Sequence, residues 1–297
     1  MDARHLRYFL AVVDHGGFHR AAEALAVGQP TLTQAVAALE RELHSTLFHH
    51  VGADVVLTEA GRALVGPARE VGHGLELARA SVEAVEGLRA GRVEIVATPS
   101  QAVSPLAGTI SRFCAAHPGV RVVVRAAFTA DQVIDTVRSG ATELGLLASA
   151  RPLPATGLDL HPVARQRFVL VTPPGSTLAG PVRPDQLAEC RLIAGPPGTA
   201  MRSVLDGLAR QGAAVAAECE HREAMLPLVL AGVGMAVLPD SWRDLAERAG
   251  ARVVELEPPA HLDIAYVSRT GAVTAAARAF LDQATLETHR PAPVDAC

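Results

Sequence analysis

The sequence predicts an α/β chain in three parts: an N-terminal winged helix-turn-helix, a long connecting helix, and a pair of α/β subdomains. Three observations carry that expectation. Two short apolar sets at helical spacing flank Val27-Gly28, a longer stripe repeats at threes and fours over about thirty residues from Glu59, and beyond Gly91 the period alternates between strand and helix.

The first element spans residues 2 to 13, with Leu6, Phe9, Leu10 and Val13 on one side. Phe18, Ala21, Ala22 and Leu25 then fall at i, i+3, i+4 and i+7, and Leu32, Val36, Leu39 and Leu43 repeat at four-three-four. At about 100° per residue, the face opposite Leu32 and Val36 carries Pro30, Gln34, Ala37, Ala38 and Arg41, flanked by Thr31 and Thr33. Pro30 suits a first helical turn, where its missing N–H would be unpaired anyway, so Gln29 to Gln34 form an exposed N-terminal end. In a recognition helix this end meets base edges in the major groove. Gln there reads adenine bidentately, and Thr reaches small acceptors or the thymine methyl. Spacing alone fits a helical hairpin inside a larger core equally well.

The residues themselves add a resemblance. Arg7-Tyr8-Phe9, then G-x-F-x-R-A-A-E-x-L from Gly16 to Leu25, Q-P-x-L-T-Q from Gln29 to Gln34, LExEL from Leu39 to Leu43, Leu47-Phe48 and LTEAG from Leu57 to Gly61 occur in order. This segment resembles the N-terminal domain of LysR-type bacterial transcriptional regulators, and weaker resemblance extends along the chain. The resemblance implies double-stranded operator DNA as a partner, contacted by Arg20, Gln29, Pro30, Thr31, Thr33 and Gln34 and by wing residues His49 and His50. Two positions depart from the pattern. Gly28 stands where the family usually has Ser, and the wing, His49 to Val56, holds no arginine. Residues 1 to 58 contain four arginines against six acids, a net of −2 with histidine neutral, which is the wrong sign for strong nonspecific DNA binding. Histidine changes charge between about pH 5 and 8, so this wing offers titratable rather than permanent positive charge.

With 297 residues, 49% of them hydrophobic, the chain can build a small module plus α/β units with real cores. The net charge of −4 points to no polyanion or membrane partner for the whole, so any nucleic-acid contact is local. All 27 basic residues are arginine. Without lysine there is no pyridoxal-phosphate Schiff base, no P-loop GK[ST] and no kinase-type phosphate-pairing lysine. No nucleophile elbow, HExxH or dinucleotide fingerprint occurs either, so no enzyme activity and no cofactor are expected. Cys114, Cys190, Cys219 and Cys297 form no CxxC pair and are expected as reduced thiols. Glu218 to His221 mixes metal-capable side chains, but strand-like neighbours send alternate residues to opposite faces, so no metal site is expected. The N-terminus lacks a signal-peptide pattern, and the longest apolar stretch, Met225 to Pro239, is broken by Pro227, Gly232 and Gly234. A cytoplasmic protein is the expectation.

Leu64, Val65, Ala68, Val71, Leu75, Ala78, Val82, Val85 and Leu88 form the long stripe, which a compact module cannot bury and which normally meets a second copy. The resemblance makes residues 59–91 a linker helix through which a homodimer or homotetramer forms, after a DNA-binding domain at 1–58. Strands are expected at Arg92 to Pro99, Val120 to Phe128, Glu143 to Ser149, Arg167 to Pro173, Cys190 to Gly195 and His261 to Arg269. Helices are expected at Leu106 to Ala116, Asp131 to Ser139, Ala200 to Gln211 and Val273 to Thr285, and Glu223 to Pro239 reads as a helix running into a buried strand. This alternation implies βαβ units and a mostly parallel sheet. The resemblance implies an effector-binding domain at 92–290, similar to the periplasmic solute-binding proteins. Subdomain 1 would comprise 92–162 and 266–290, subdomain 2 163–265, with a loose tail at 291–297.

Ligands of open α/β sheets bind beyond the carboxyl ends of strands. Thr98, Ser100 and Gln101 occupy that place after the first strand, Phe128 and Thr129 after the second, Ser149 after the third, and Pro196, Gly198 and Thr199 after a strand of the other subdomain. Hydroxyls and free N–H groups at helix starts suit a small organic anion. Helix capping uses Ser100 and Thr199 equally well. A solute-binding receptor with weak or no DNA binding is the competing reading. It accounts for residues 92 to 290 but not for the first sixty. Contact with RNA polymerase stays open, as do the effector, the operator and the direction of regulation.

Overall fold

The structure, a computed structural model, describes residues 1–51, 54–85, 91–149, 156–210, 212–271 and 273–285. The expected tail lies outside them. Two compact units emerge, one built mainly on residues 1–88 and the other on most of the remainder.

In the first unit, α1 (Ala3–His15), α2 (Phe18–Ala24) and α3 (Gln29–Glu42) pack around a core of Leu6, Phe9, Val12, Ala21, Leu32, Val36, Leu39 and Leu47. Helical spacing selects Leu6, Phe9, Ala21, Leu32, Val36 and Leu39 among these; Val12 joins the core where Leu10 and Val13 are expected, and Leu43, also expected, is exposed. Asp2 caps α1 by accepting from the Arg4 N–H at 2.8 Å, and Pro30 sits in the first turn of α3. The wing is a hairpin of β1 (Phe48–Val51) and β2 (Asp54–Leu57), antiparallel with Phe48 opposite Leu57. Glu40 on α3 accepts from the Leu47 N–H at 2.7 Å, tying the start of the wing to the third helix.

The LTEAG segment turns the hairpin into α4 (Glu59–Val85). Thr58 donates its hydroxyl to the Thr46 carbonyl at 2.7 Å and accepts from the Gly61 N–H at 2.9 Å. A Cβ at position 61 would lie 2.2 Å from the Leu47 carbonyl oxygen, so only glycine permits this approach. Along α4, Ala68 is buried while Val71, Leu75 and Val82 are exposed. Residues 86 to 90, where the expected stripe ends, lie outside the described residues.

The second unit is a nine-stranded sheet in the order β4-β3-β5-β11-β6-β9-β7-β8, with β10 also on β6. One half comprises β3 (Gly91–Ala97), α5 (Pro99–Gln101), a π-helical turn (Ala102–Leu106), α6 (Ala107–Ala116), β4 (Val120–Ala126), α7 (Ala130–Arg138) and β5 (Leu144–Ser149). The long β6 (Leu158–Thr172) leads to β7 (Arg191–Ala194), α8 (Ala200–Ala209), β8 (Ala214–Glu218), α9 (Met225–Leu230), β9 (Met235–Pro239), α10 (Arg243–Arg248) and β10 (Arg252–Glu255). β11 (His261–Arg269) and α11 (Ala275–Thr285) complete the unit. A core around Phe168, Val169, Leu192, Val229 and Val237 fills one half, and Val96, Val133, Val137 and Leu147 pack in the other.

The expectation of a mostly parallel sheet is corrected. β3 runs parallel to β4 and β5, and β7 to β8 and β9, but β6 and β11 run antiparallel to each other and to their flanking strands. βαβ crossovers fix parallel neighbours locally. The two strands that join the halves pair directly and escape that rule. The helix expected from Leu106 is preceded by a break, because Ser104 is extended (φ −150°, ψ 125°) ahead of Pro105.

Candidate functional site

Two surfaces hold the expected site residues. In the first unit, Gln29, Pro30, Thr31, Thr33 and Gln34 are all exposed at the start of α3, while Leu32 between them is fully buried. Thr33 donates its hydroxyl back to the Gln29 carbonyl at 3.0 Å, which leaves its oxygen able to accept. His49 is exposed on β1, and His50 follows it in the strand, opposite Val55. Arg20 has a different employment. It donates to the carbonyls of His15 at 2.7 Å and Gly16 at 2.6 Å, closing the C-terminal end of α1 where unpaired carbonyls collect.

In the second unit a cavity of about 430 Å³ opens beyond the carboxyl ends of β3 and β5. Thr98, Ser100, Gln101, Phe128, Thr129 and Ser149 line one side, and Gly198 and Thr199 the other. Pro196 does not line it; its carbonyl accepts the Thr199 hydroxyl at 2.9 Å. Thr199 also accepts from the Arg202 N–H at 3.2 Å, so its hydroxyl proton and one lone pair already serve as the N-cap of α8. Thr129 likewise accepts from the Gln132 N–H at 3.2 Å at the start of α7. For both threonines, capping is what the geometry supports. Gly198 has φ +80°, the left-handed conformation that lets the loop turn at the rim.

Ser100 and Gln101 are each 3% exposed. Thr98 donates its hydroxyl to Gln101 Oε1, which leaves the buried Gln101 Nε2 with no protein partner. Ser100 accepts from a residue that sequence reasoning missed, Arg222, which lines the cavity from a short 3₁₀ turn (Arg222–Ala224). A second Arg222 contact reaches Met201 Sδ at 3.1 Å. Burial pushes the Arg222 guanidinium below the ordinary arginine range, because among the described residues no opposite charge offsets the lost hydration. Ile134, Ala148, Met201 and Leu262 supply apolar wall.

A larger hollow, about 520 Å³, lies by Arg165, Arg167 and Arg243. There each arginine has a carboxylate: Asp263 at 3.4 Å, Glu255 at 3.9 Å and Asp240 at 2.8 Å respectively. Its charge is answered within the protein, so the smaller cavity is the better ligand site. Among the described residues no group of histidine, cysteine and acid side chains could hold a metal, and Cys114, Cys190 and Cys219 are free thiols. No helix among them is long and apolar enough to cross a membrane.

Residues 86–287 match the LysR substrate binding domain, and residues 3–62 the bacterial regulatory helix-turn-helix protein, lysR family. The chain belongs to the LysR family. This LysR-family chain is similar to the HTH-type transcriptional regulator IlvR of Caulobacter vibrioides, 32% identical over 285 residues that span 91% of this chain and 92% of that one. In fold it is similar to full-length OxyR of Pseudomonas aeruginosa, at 22% identity and a TM-score of 0.74 over 96% of this chain and 95% of that one. It is also similar in fold to full-length CbnR solved with its target DNA, at 21% identity and a TM-score of 0.56 over 97% of this chain and 100% of that one. The chain is thus a LysR-type DNA-binding transcriptional regulator with an effector-binding domain, and its family is one of regulators, not enzymes.

Proposed function

We propose that a small organic anion, bound in the cavity beyond β3 and β5, modulates DNA binding by this cytoplasmic regulator. The observation that carries the reading is the cavity itself, in which hydrogen-bond donors at Ser100, Gln101 and Arg222 converge from segments far apart in sequence. Its volume lies within the usual range for ligand sites, about 300 to 1,000 Å³. The two halves of the sheet act as subdomain 1 (92–162 and 266–290) and subdomain 2 (163–265), and α4 joins two copies into a dimer, with a tetramer as dimer of dimers. The exposed start of α3 reads the major groove through Gln29 and Gln34, while His49 on the wing meets the phosphates.

Fluorescence anisotropy with DNA from upstream of the protein's own gene tests this reading. Gln34→Ala should weaken specific binding by about 1 to 3 kcal/mol, the worth of one bidentate base contact, with nonspecific binding unchanged. Small acids should shift the wild-type curve. Equal loss on specific and random DNA would remove Gln34 from base reading, and a curve indifferent to every acid would remove the anion.

A further inference from the structure

Three donors meet in the cavity, and the acceptors described for them are neutral. Arg222 contributes a guanidinium that, among the described residues, forms no ion pair and donates only to the neutral Ser100 hydroxyl and Met201 sulfur. Gln101 contributes a buried Nε2 with no partner among the described residues. Ser100, already accepting from Arg222, retains its own hydroxyl proton to give. A buried polar group without a partner is costly, and so, in proportion to its burial, is a half-buried cation such as Arg222 without a counter-charge. Contrast the three arginines by the larger hollow, each answered by a carboxylate.

We propose that Arg222 is the specificity-determining residue of this cavity, selecting, with Ser100 and Gln101, a small monocarboxylate that carries an apolar body. The inference rests on the reading of the cavity as the effector site. A planar carboxylate matches the guanidinium fork, and its two oxygens have lone pairs enough for the Ser100 hydroxyl and the Gln101 amide as well. Charge limits the ligand to one anionic group. Among the described lining residues Arg222 is the one cationic side chain, and the other charged group there is the Asp131 carboxylate, which repels a second negative charge. Part of the remaining wall is apolar: Phe128, 55% exposed, can cover a hydrocarbon or aromatic body together with Ile134 and Leu262, beside the hydroxyls of Thr129, Ser149 and Ser203. Arg222 rests on Ser100, 122 residues away in sequence, and a bound carboxylate takes over that donor.

A purely structural Arg222, tying Ser100 in place, would make a different prediction. Its removal would lower the melting temperature of the unliganded protein. A charge kept unanswered for a ligand predicts instead that Arg222→Met melts no lower than wild type, because a half-buried cation with no counter-charge among the described residues has gone.

The test uses the full-length protein and thermal denaturation with monocarboxylates from propionate to phenylacetate, each beside its primary amide, plus succinate and inorganic phosphate as dianions. At concentrations of about 10 mM, ligand binding raises the melting temperature by mass action. The expected result is that at least one monocarboxylate stabilises the protein while its amide and both dianions do not. Its affinity, by calorimetry, should fall about ten- to a hundredfold in Arg222→Met and about tenfold in Gln101→Leu. Acids no better than their amides, preference for a dianion, or unchanged affinity in Arg222→Met would overturn the proposal, as would a lowered melting temperature of unliganded Arg222→Met. Ala148→Phe, which fills the cavity, separates the two levels of failure. Binding lost there but kept in Arg222→Met refutes Arg222 alone, whereas binding kept in both refutes the cavity as the site.

Discussion

Arg222 donates a hydrogen bond to the hydroxyl of Ser100, joining a 3₁₀ turn after β8 to the first turn after β3. Ser100 is also placed to give its own proton to a ligand. Ser100→Ala is therefore predicted to weaken the effector response by about 1.5 to 3 kcal/mol, roughly ten- to a hundredfold, while operator affinity without effector stays within twofold or so. Dose-response curves of a reporter promoter check this, and an unshifted midpoint would take Ser100 out of the site.

Gly61 carries the turn from wing to α4. With a Cβ only 2.2 Å from the Leu47 carbonyl oxygen, Gly61→Ala forces backbone apart. The expected cost is about 3 kcal/mol, at the upper end of overpacking. Urea denaturation followed by circular dichroism measures it, and a loss below about 0.5 kcal/mol, typical of a neutral surface change, would mean that the turn relaxes freely.

Exposed Val71, Leu75 and Val82 recur along α4 at four and seven. If that stripe is covered by a second copy, Leu75→Glu places a charge at an apolar interface and should shift the protein toward monomer. Light scattering at micromolar concentration decides: a wild type already monomeric, or a variant as oligomeric as wild type, contradicts assembly through α4.

Burial, opposed by nearby Asp159 and aided by Arg278, lowers the pKa of His161, whose Nε2 lies 3.3 Å from the Ser268 hydroxyl. The unfolded chain then binds the proton more readily than the native one. Above 6.5 both states are neutral and the contribution is constant; as pH falls through 6.5 the unfolded state is favoured until the native histidine also protonates. His161→Gln should flatten the loss of stability below that pH. Denaturant midpoints with the same acid slope in both proteins would deny His161 this part.

Much of this was legible from periodicity. Leu32, Val36 and Leu39 point inward because a helix repeats every 3.6 residues, and the strand ends after β3 and β5 border the cavity because open α/β sheets leave their crevice there. Long-range pairing was not legible. Leu158 to Val163 contains Pro162 and alternates too irregularly to read as strand, yet it pairs with β11 along its length, and that pairing makes the sheet mixed. Nothing local sets Arg222 apart from 26 other arginines, since its meaning depends on Ser100. Arg20 is the converse case. It belongs to the motif that suggests DNA contact, but its donors reach the end of α1.

The central claim is that one chain couples an α3 that reads DNA to the occupancy of a carboxylate cavity. Footprinting of the region upstream of its own gene, with and without a monocarboxylate that raises the melting temperature, tests it most directly. The expected footprint is a protected site whose extent or midpoint changes when the acid is added, with no such change in Ala148→Phe. A footprint identical at saturating acid, or one that responds equally in Ala148→Phe, would contradict it.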